Sequence, residues 1–197
     1  MGDNSTLPAV GDVIRGIDKS GKKTQVVAID VGGAGTEDLV TGALPIKGRA
    51  FTTTASLTVT SGAYSVGDVV GGLITITGAS SANGKRSIIN SVSLAGVVAI
   101  EYELWFFNSD IATPAADNAA FSLAAGDGLK FLGVVPITTS DYFSAQNSFN
   151  NASVRSVGLE FATGGATTSV FAYLKTTVVT SPGTTILYLT VAGEHID

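Results

Sequence analysis

The chain has no cysteine, one histidine and one tryptophan among 197 residues, and only 14% of its residues are charged. Without cysteine no disulfide or thiolate–metal site can form, which fits synthesis in a reducing cytoplasm. Nucleophilic, acid–base and metal-assisted catalysis draw on His, Cys and clustered carboxylates. The lone histidine, His195, stands in the C-terminal tail, so the composition points away from an enzyme and away from any cofactor. No run of about 18 apolar residues occurs. The first thirty residues lack a basic stretch followed by an apolar one, so neither a membrane span nor a secretory leader is expected. Without secretion, the N-x-[ST] sequons at Asn4 and Asn151 carry no weight. A net charge of −5 leaves no concentrated cationic face for phosphates. The compact basic clusters, Lys19-Lys22-Lys23 and Lys85-Arg86, suit ordinary solvated turns. Nucleic acid and membrane are therefore not expected partners.

What is abundant is glycine, 24 residues, and Ser plus Thr, which together exceed a fifth of the chain. A surface this neutral is expected to be covered in part by partners. Charge is unevenly spread: residues 1–45 hold 10 charged positions and residues 46–197 hold 17, so its density halves after Leu44-Pro45. That change divides the chain into an N-terminal arm, 1–45, and a body, 46–197. Within the arm TQVVAIDV alternates, with Gln25, Val27, Ile29 and Val31 on one face, before GGAG breaks the strand. With DKSGKK as the turn, Val13–Ile17 and Thr24–Val31 are expected to pair as a hairpin. A two-stranded ribbon is marginal alone in water, so this one should lie on something else, and those four side chains are candidate partner contacts.

The body is a series of short β-branched segments. Strands are expected at Ala50–Thr60, Val66–Thr77, Arg86–Leu94, Val97–Phe107, Ala119–Leu123, Leu129–Ile137, Val154–Phe161, Thr168–Thr177 and Thr184–Val191. Turn signals such as GASSANGK, AAGDG and TSPG separate them, which predicts an all-β, two-sheet sandwich. Along Ile100–Phe107 one face carries Ile100, Tyr102, Leu104 and Phe106, the composition of a core. The other carries Glu101, Glu103, Trp105 and Phe107, so its aromatic end either tucks under a loop or meets another chain. The polar and aromatic loop Thr138–Ala152 is expected to cross between sheets or project from the body, with Tyr142 and Phe143 as contact candidates.

Candidate chemistry is thin. GGAG after a strand suggests a phosphate loop, yet the acidic pair Glu37-Asp38 follows where a helix N-terminus should receive phosphate, so a hinge is the better reading. Glu101 and Glu103, two apart on a strand, could serve glycoside hydrolysis, but a solvated acidic face explains them as well. Asp110, Asp117 and Asp127 lie in loops without a calcium-loop pattern, so no metal is expected. His195 in EHID is expected to be exposed; a catalytic triad would need that tail held rigidly.

The segments IDKSGKKTQVVAIDVGGAG (17–35), AYSVGDVVGGLITI (63–76), ELWFFNSDIATPAADNAAFSL (103–123), LKFLGVVPI (129–137) and VFAYLKTTVVTSP (170–182) resemble accessory virion proteins of tailed bacteriophages. The likeness is greatest to head decoration, or cement, proteins with a jelly-roll-like body. It implies a jelly-roll-like antiparallel sandwich with an extended arm, seated as a homotrimer on the capsid exterior and clamping the phage major capsid protein. The alternative it implies is a head-fibre or tail component whose sandwich binds carbohydrate. No residue-level site follows from the resemblance, because such functions lie in surfaces.

Overall fold

A computed structural model describes residues 15–19, 22–26, 50–60, 62–96, 98–112, 114–144, 150–164 and 166–196. The chain divides into two compact units, Met1–Ile46 and Lys47–Asp197. In the first, β1 (Arg15–Lys19) and β2 (Lys22–Val26) form an antiparallel two-stranded sheet, with Arg15 opposite Val26 and Lys19 opposite Lys22. The described pairing runs to Lys19 opposite Lys22, so β1 and β2 reach into the DKSGKK segment expected as the turn. Val27, Ile29 and Val31 lie outside the described residues.

The second unit is all β: among the described residues its only helical turns are two three-residue 3-10 segments. Its strands are β3 (Ala50–Thr58), β4 (Val69–Ile76), β5 (Arg86–Gly96), β6 (Tyr102–Phe107), β7 (Phe131–Ile137), β8 (Tyr142–Ser144), β9 (Asn150–Ala162), β10 (Val170–Thr176) and β11 (Ile186–His195). They make a four-stranded sheet ordered β4-β10-β6-β7 and a five-stranded sheet ordered β3-β11-β5-β9-β8. Leaving aside the short β8, first pairs with last throughout: β3 with β11, β4 with β10, β5 with β9, β6 with β7, all antiparallel. Successive pairs alternate between the sheets. A long antiparallel ribbon folded over on itself in this way is a jelly roll.

Alternation of side chains fills the space between the sheets. Phe51 and Leu57 of β3, Ile89, Val92 and Leu94 of β5, and Leu187, Leu189 and Val191 of β11 meet Ile74 and Ile76 of β4, Tyr102, Leu104 and Phe106 of β6, and Val170, Ala172 and Leu174 of β10 in one core cluster. The expected core face of the 100–107 segment is thus in place. Gly193 is required where it stands, since a Cβ there would lie 2.1 Å from the Ile88 carbonyl oxygen and 2.6 Å from the Phe51 ring.

Three expectations need correction. Ala119–Leu123 is not a strand: Phe121 packs on a sheet face while Leu123 is exposed, and only a single bridge forms, between Asp68 and Ala120. The Val97–Phe107 segment is split, because β5 runs on to Gly96 and β6 starts at Tyr102. His195 is not a loose tail residue; it ends β11, its ring stacks on Phe51 at 5.7 Å, and Nε2 lies 3.1 Å from the Gly78 carbonyl oxygen. The connection after Ile137 crosses from the four-stranded to the five-stranded sheet, as its length suggested.

Candidate functional site

The two outward faces of the sandwich are built differently. On the four-stranded sheet the cross-strand row Leu73–Tyr173–Trp105–Val134 lies beside the row Thr75–Phe171–Phe107–Phe131. The insertion between β6 and β7, residues 108–130, folds over these rows as a roof. Ile111 packs beneath it against Val69, Phe107 and Tyr173, with Ala115 and Phe121 alongside. Phe121 meets Trp105 edge-on at 5.4 Å and Tyr173 at 5.6 Å. Phe107 and Tyr173 are thereby fully buried by their own chain. β6 and β10 are covered on both faces, which is why their apolar content is nearly continuous.

Two aspartates fasten the roof. Asp117 accepts from the Thr60 amide (2.7 Å), the Thr60 hydroxyl (2.6 Å), the Tyr64 hydroxyl (2.7 Å) and the Gly71 amide (2.7 Å), tying the roof to the β3–β4 connection and the edge of β4. Burial alone would raise its carboxyl, but these donors outweigh it and hold Asp117 below the usual carboxylate range. The same carboxylate and burial together push the Tyr64 hydroxyl up to about 12. Asp127 has no exposed surface and accepts from the Ala112 and Ala124 amides and from Lys130 Nζ, at 2.9, 3.0 and 3.0 Å. The Ala112 amide first, then Lys130 and Ala124, keep it ionised against the cost of burial. Lys130 Nζ also donates to the Asp110 carbonyl oxygen at 2.7 Å. Asp117 and Asp127 are therefore spent on backbone and side-chain donors, the Asp110 carboxylate lies 3.4 Å from the Tyr173 hydroxyl, and no group of three or more potential metal ligands occurs among the described residues.

Glu103 lies on the roofed face with Lys175 Nζ at 2.7 Å and the Trp105 indole N–H donating at 2.9 Å, while Lys175 sits 4.8 Å over the Trp105 ring. Lys175 foremost, with the indole, holds the Glu103 carboxyl below its ordinary value. Glu103, Lys175 and Trp105 thus form one mutually satisfied trio on this face.

The five-stranded sheet presents an open face of hydroxyls. One cross-strand row runs Thr54–Thr190–Ser93–Ser153 and the next Ser56–Tyr188–Ala95–Asn151–Phe143. The Thr54 and Thr190 hydroxyls are 3.0 Å apart. Charge gathers only toward one end, at Arg155, Glu194 and the Arg86–Glu160 ion pair. Tyr188 and Phe143 stand out of this face, 44% and 56% exposed.

The sequence-derived contact residues separate accordingly. Phe107 is withdrawn inside the chain: of the two readings offered for that face, cover by a loop is the one the fold adopts. Trp105 is half-buried in the same aromatic layer. Tyr142 packs against the core and donates its hydroxyl to the Ile100 carbonyl oxygen at 2.8 Å, whereas Phe143 faces solvent. Gln25 lies on β2 opposite Gly16. No protein-family model matches this chain, and a search of curated proteins finds no match.

Proposed function

We propose that this chain is a structural protein of a tailed-phage virion, a decoration protein that stabilises the capsid from its outer side, assembled as a homotrimer. The observation that carries the reading is the pairing of a charged, hairpin-forming unit, Met1–Ile46, with a weakly charged jelly roll whose roofed face is closed by its own loop and whose other face is open. A neutral open face suits packing against other chains, and a strand-forming arm suits addition to a sheet edge of the major capsid protein. Repetition over a shell turns modest contacts into avidity. Deleting residues 1–45 is expected to abolish binding to empty capsids and leave the body folded; unchanged occupancy by the truncated chain would refute the assignment of the arm.

A second reading, a fibre or tail module that binds carbohydrate, has one observation in its favour. Tyr188 and Phe143 rise from a hydroxyl-lined face three strands apart, about 14 Å at strand spacing, a separation suited to stacking two rings of an oligosaccharide. A glycan array decides between them: binding that is lost on Tyr188→Ala favours the module, and an empty array favours decoration.

A further inference from the structure

A sandwich has four sheet edges, and three of these are blunted. β7 carries Pro136 and meets β6 through a register shift at Phe106/Phe107. β8 is only three residues long, and the stretch of β9 beyond it is broken by positive-φ Ser156 and Gly158, a register shift against β5 and the charges of Arg155 and Glu160. β4 is capped by the roof: the Val69 amide donates to the Ala119 carbonyl oxygen, the Asn118 amide to the Val69 carbonyl oxygen, and the Gly71 amide to Asp117. Proline, bulges, shortness and loop cover are the devices that stop edges from pairing with other chains. Among the described residues β3 has none of them. It runs nine residues, AFTTTASLT, with no charge, proline or glycine, in unbroken register with β11 from Ala50–Glu194 to Thr58–Ile186. Among the described residues β3 pairs with no strand but β11.

We infer that the free edge of β3 is a strand-pairing site for a second copy of this chain, joined antiparallel across a two-fold axis. The strand is complementary to itself. Pairing centred on its midpoint, Thr54, sets Thr54 opposite itself and Thr52 opposite Ser56 of the second copy, so the central outward rows continue as hydroxyl on hydroxyl, as Thr54 and Thr190 already meet, while Ala50 stands opposite Thr58. No like charges are brought together. The inference does not rest on the shell reading, and it is compatible with three-fold contacts elsewhere: a trimer whose β3 edges meet a second trimer doubles in mass.

The test is the mass of the full chain in solution by light scattering and sedimentation. The wild type is expected to contain an even number of chains. Thr54→Lys places two ammonium groups face to face and should halve the mass, with tryptophan emission unchanged and a cooperative melt that no longer depends on protein concentration. Thr52→Lys with Ser56→Glu sets opposite charges across the axis and should retain the full mass, whereas Thr52→Lys with Ser56→Lys should lose it. Because the chain lacks cysteine, Thr54→Cys supplies one thiol per chain and should yield a disulfide-linked pair under mild oxidation, with Ser93→Cys, on a central strand, giving none. A wild type with an odd number of chains, or a Thr54→Lys mass equal to it, would overturn the inference.

Discussion

The two outer faces of this jelly roll begin from the same topology and end in opposite chemistry. One is aromatic and closed by residues 108–130 from its own chain; the other is hydroxyl-covered and open. An aromatic layer left in water would be a large exposed apolar patch, which soluble chains avoid unless a partner takes it. The roof buries the centre of that layer, Phe107 and Tyr173, and leaves Leu73, Phe131 and Val134 partly exposed at its margins. The threonine face needs no cover, since its hydroxyls stay solvated, and short side chains leave little rotamer entropy to lose when another surface packs on it. The lesson is that the aromatics at the centre of one face are here structural, while the hydroxyls of the other stay open.

Substitutions on matching positions of the two faces should break this symmetry of topology most visibly. Phe107→Ala opens a cavity under the roof and should cost about 4 kcal/mol in chemical denaturation. Asp117→Ala leaves the Thr60 and Gly71 amides without their acceptor and should cost about 2 kcal/mol, concentrated in the roof and the β3–β4 connection. Acidification should act on the same fastenings. Asp117, Asp127 and Glu103 are all held below their ordinary values of 3.8, 3.8 and 4.5. Their stabilisation is thus complete above those values and lost as the pH falls through the lower folded ones. The single tryptophan, Trp105, lies in the roofed layer, so its emission should shift to the red on acidification, and Asp117→Asn should flatten the early part of that transition. An unshifted emission down to pH 2 would show that the carboxylates do not hold the roof. Thr52→Ala, on the open face, should change stability by less than about 0.5 kcal/mol.

Much of the body was legible in the sequence because period-two alternation records which face of a strand is buried. Ile100, Tyr102, Leu104 and Phe106 show it plainly, and the turn clusters bounded most strands to within a few residues. Alternation does not say what covers the second face. For Trp105 and Phe107 a loop of the same chain and a surface of another leave the same pattern, and only the fold separates them. Ala119–Leu123 looked like a strand because Ala119, Phe121 and Leu123 are spaced as one, yet the backbone beside it is occupied by a sheet edge at a single bridge. The fastening role of Asp117 was invisible for a different reason: its partners Thr60 and Gly71 are 57 and 46 residues away along the chain. The place of β3 at the end of its sheet among the described residues was likewise hidden, since an edge exists only once the strand order is known.

The contrast between a closed face and an open one is tested most directly by hydrogen exchange on the full chain, free at high dilution and bound to intact capsids. The account predicts new protection along residues 50–58 and the outward positions of β11 and β5, with the amides of 108–130 unchanged. Protection confined to the roof, with the threonine face exchanging as it does in the free chain, would contradict it.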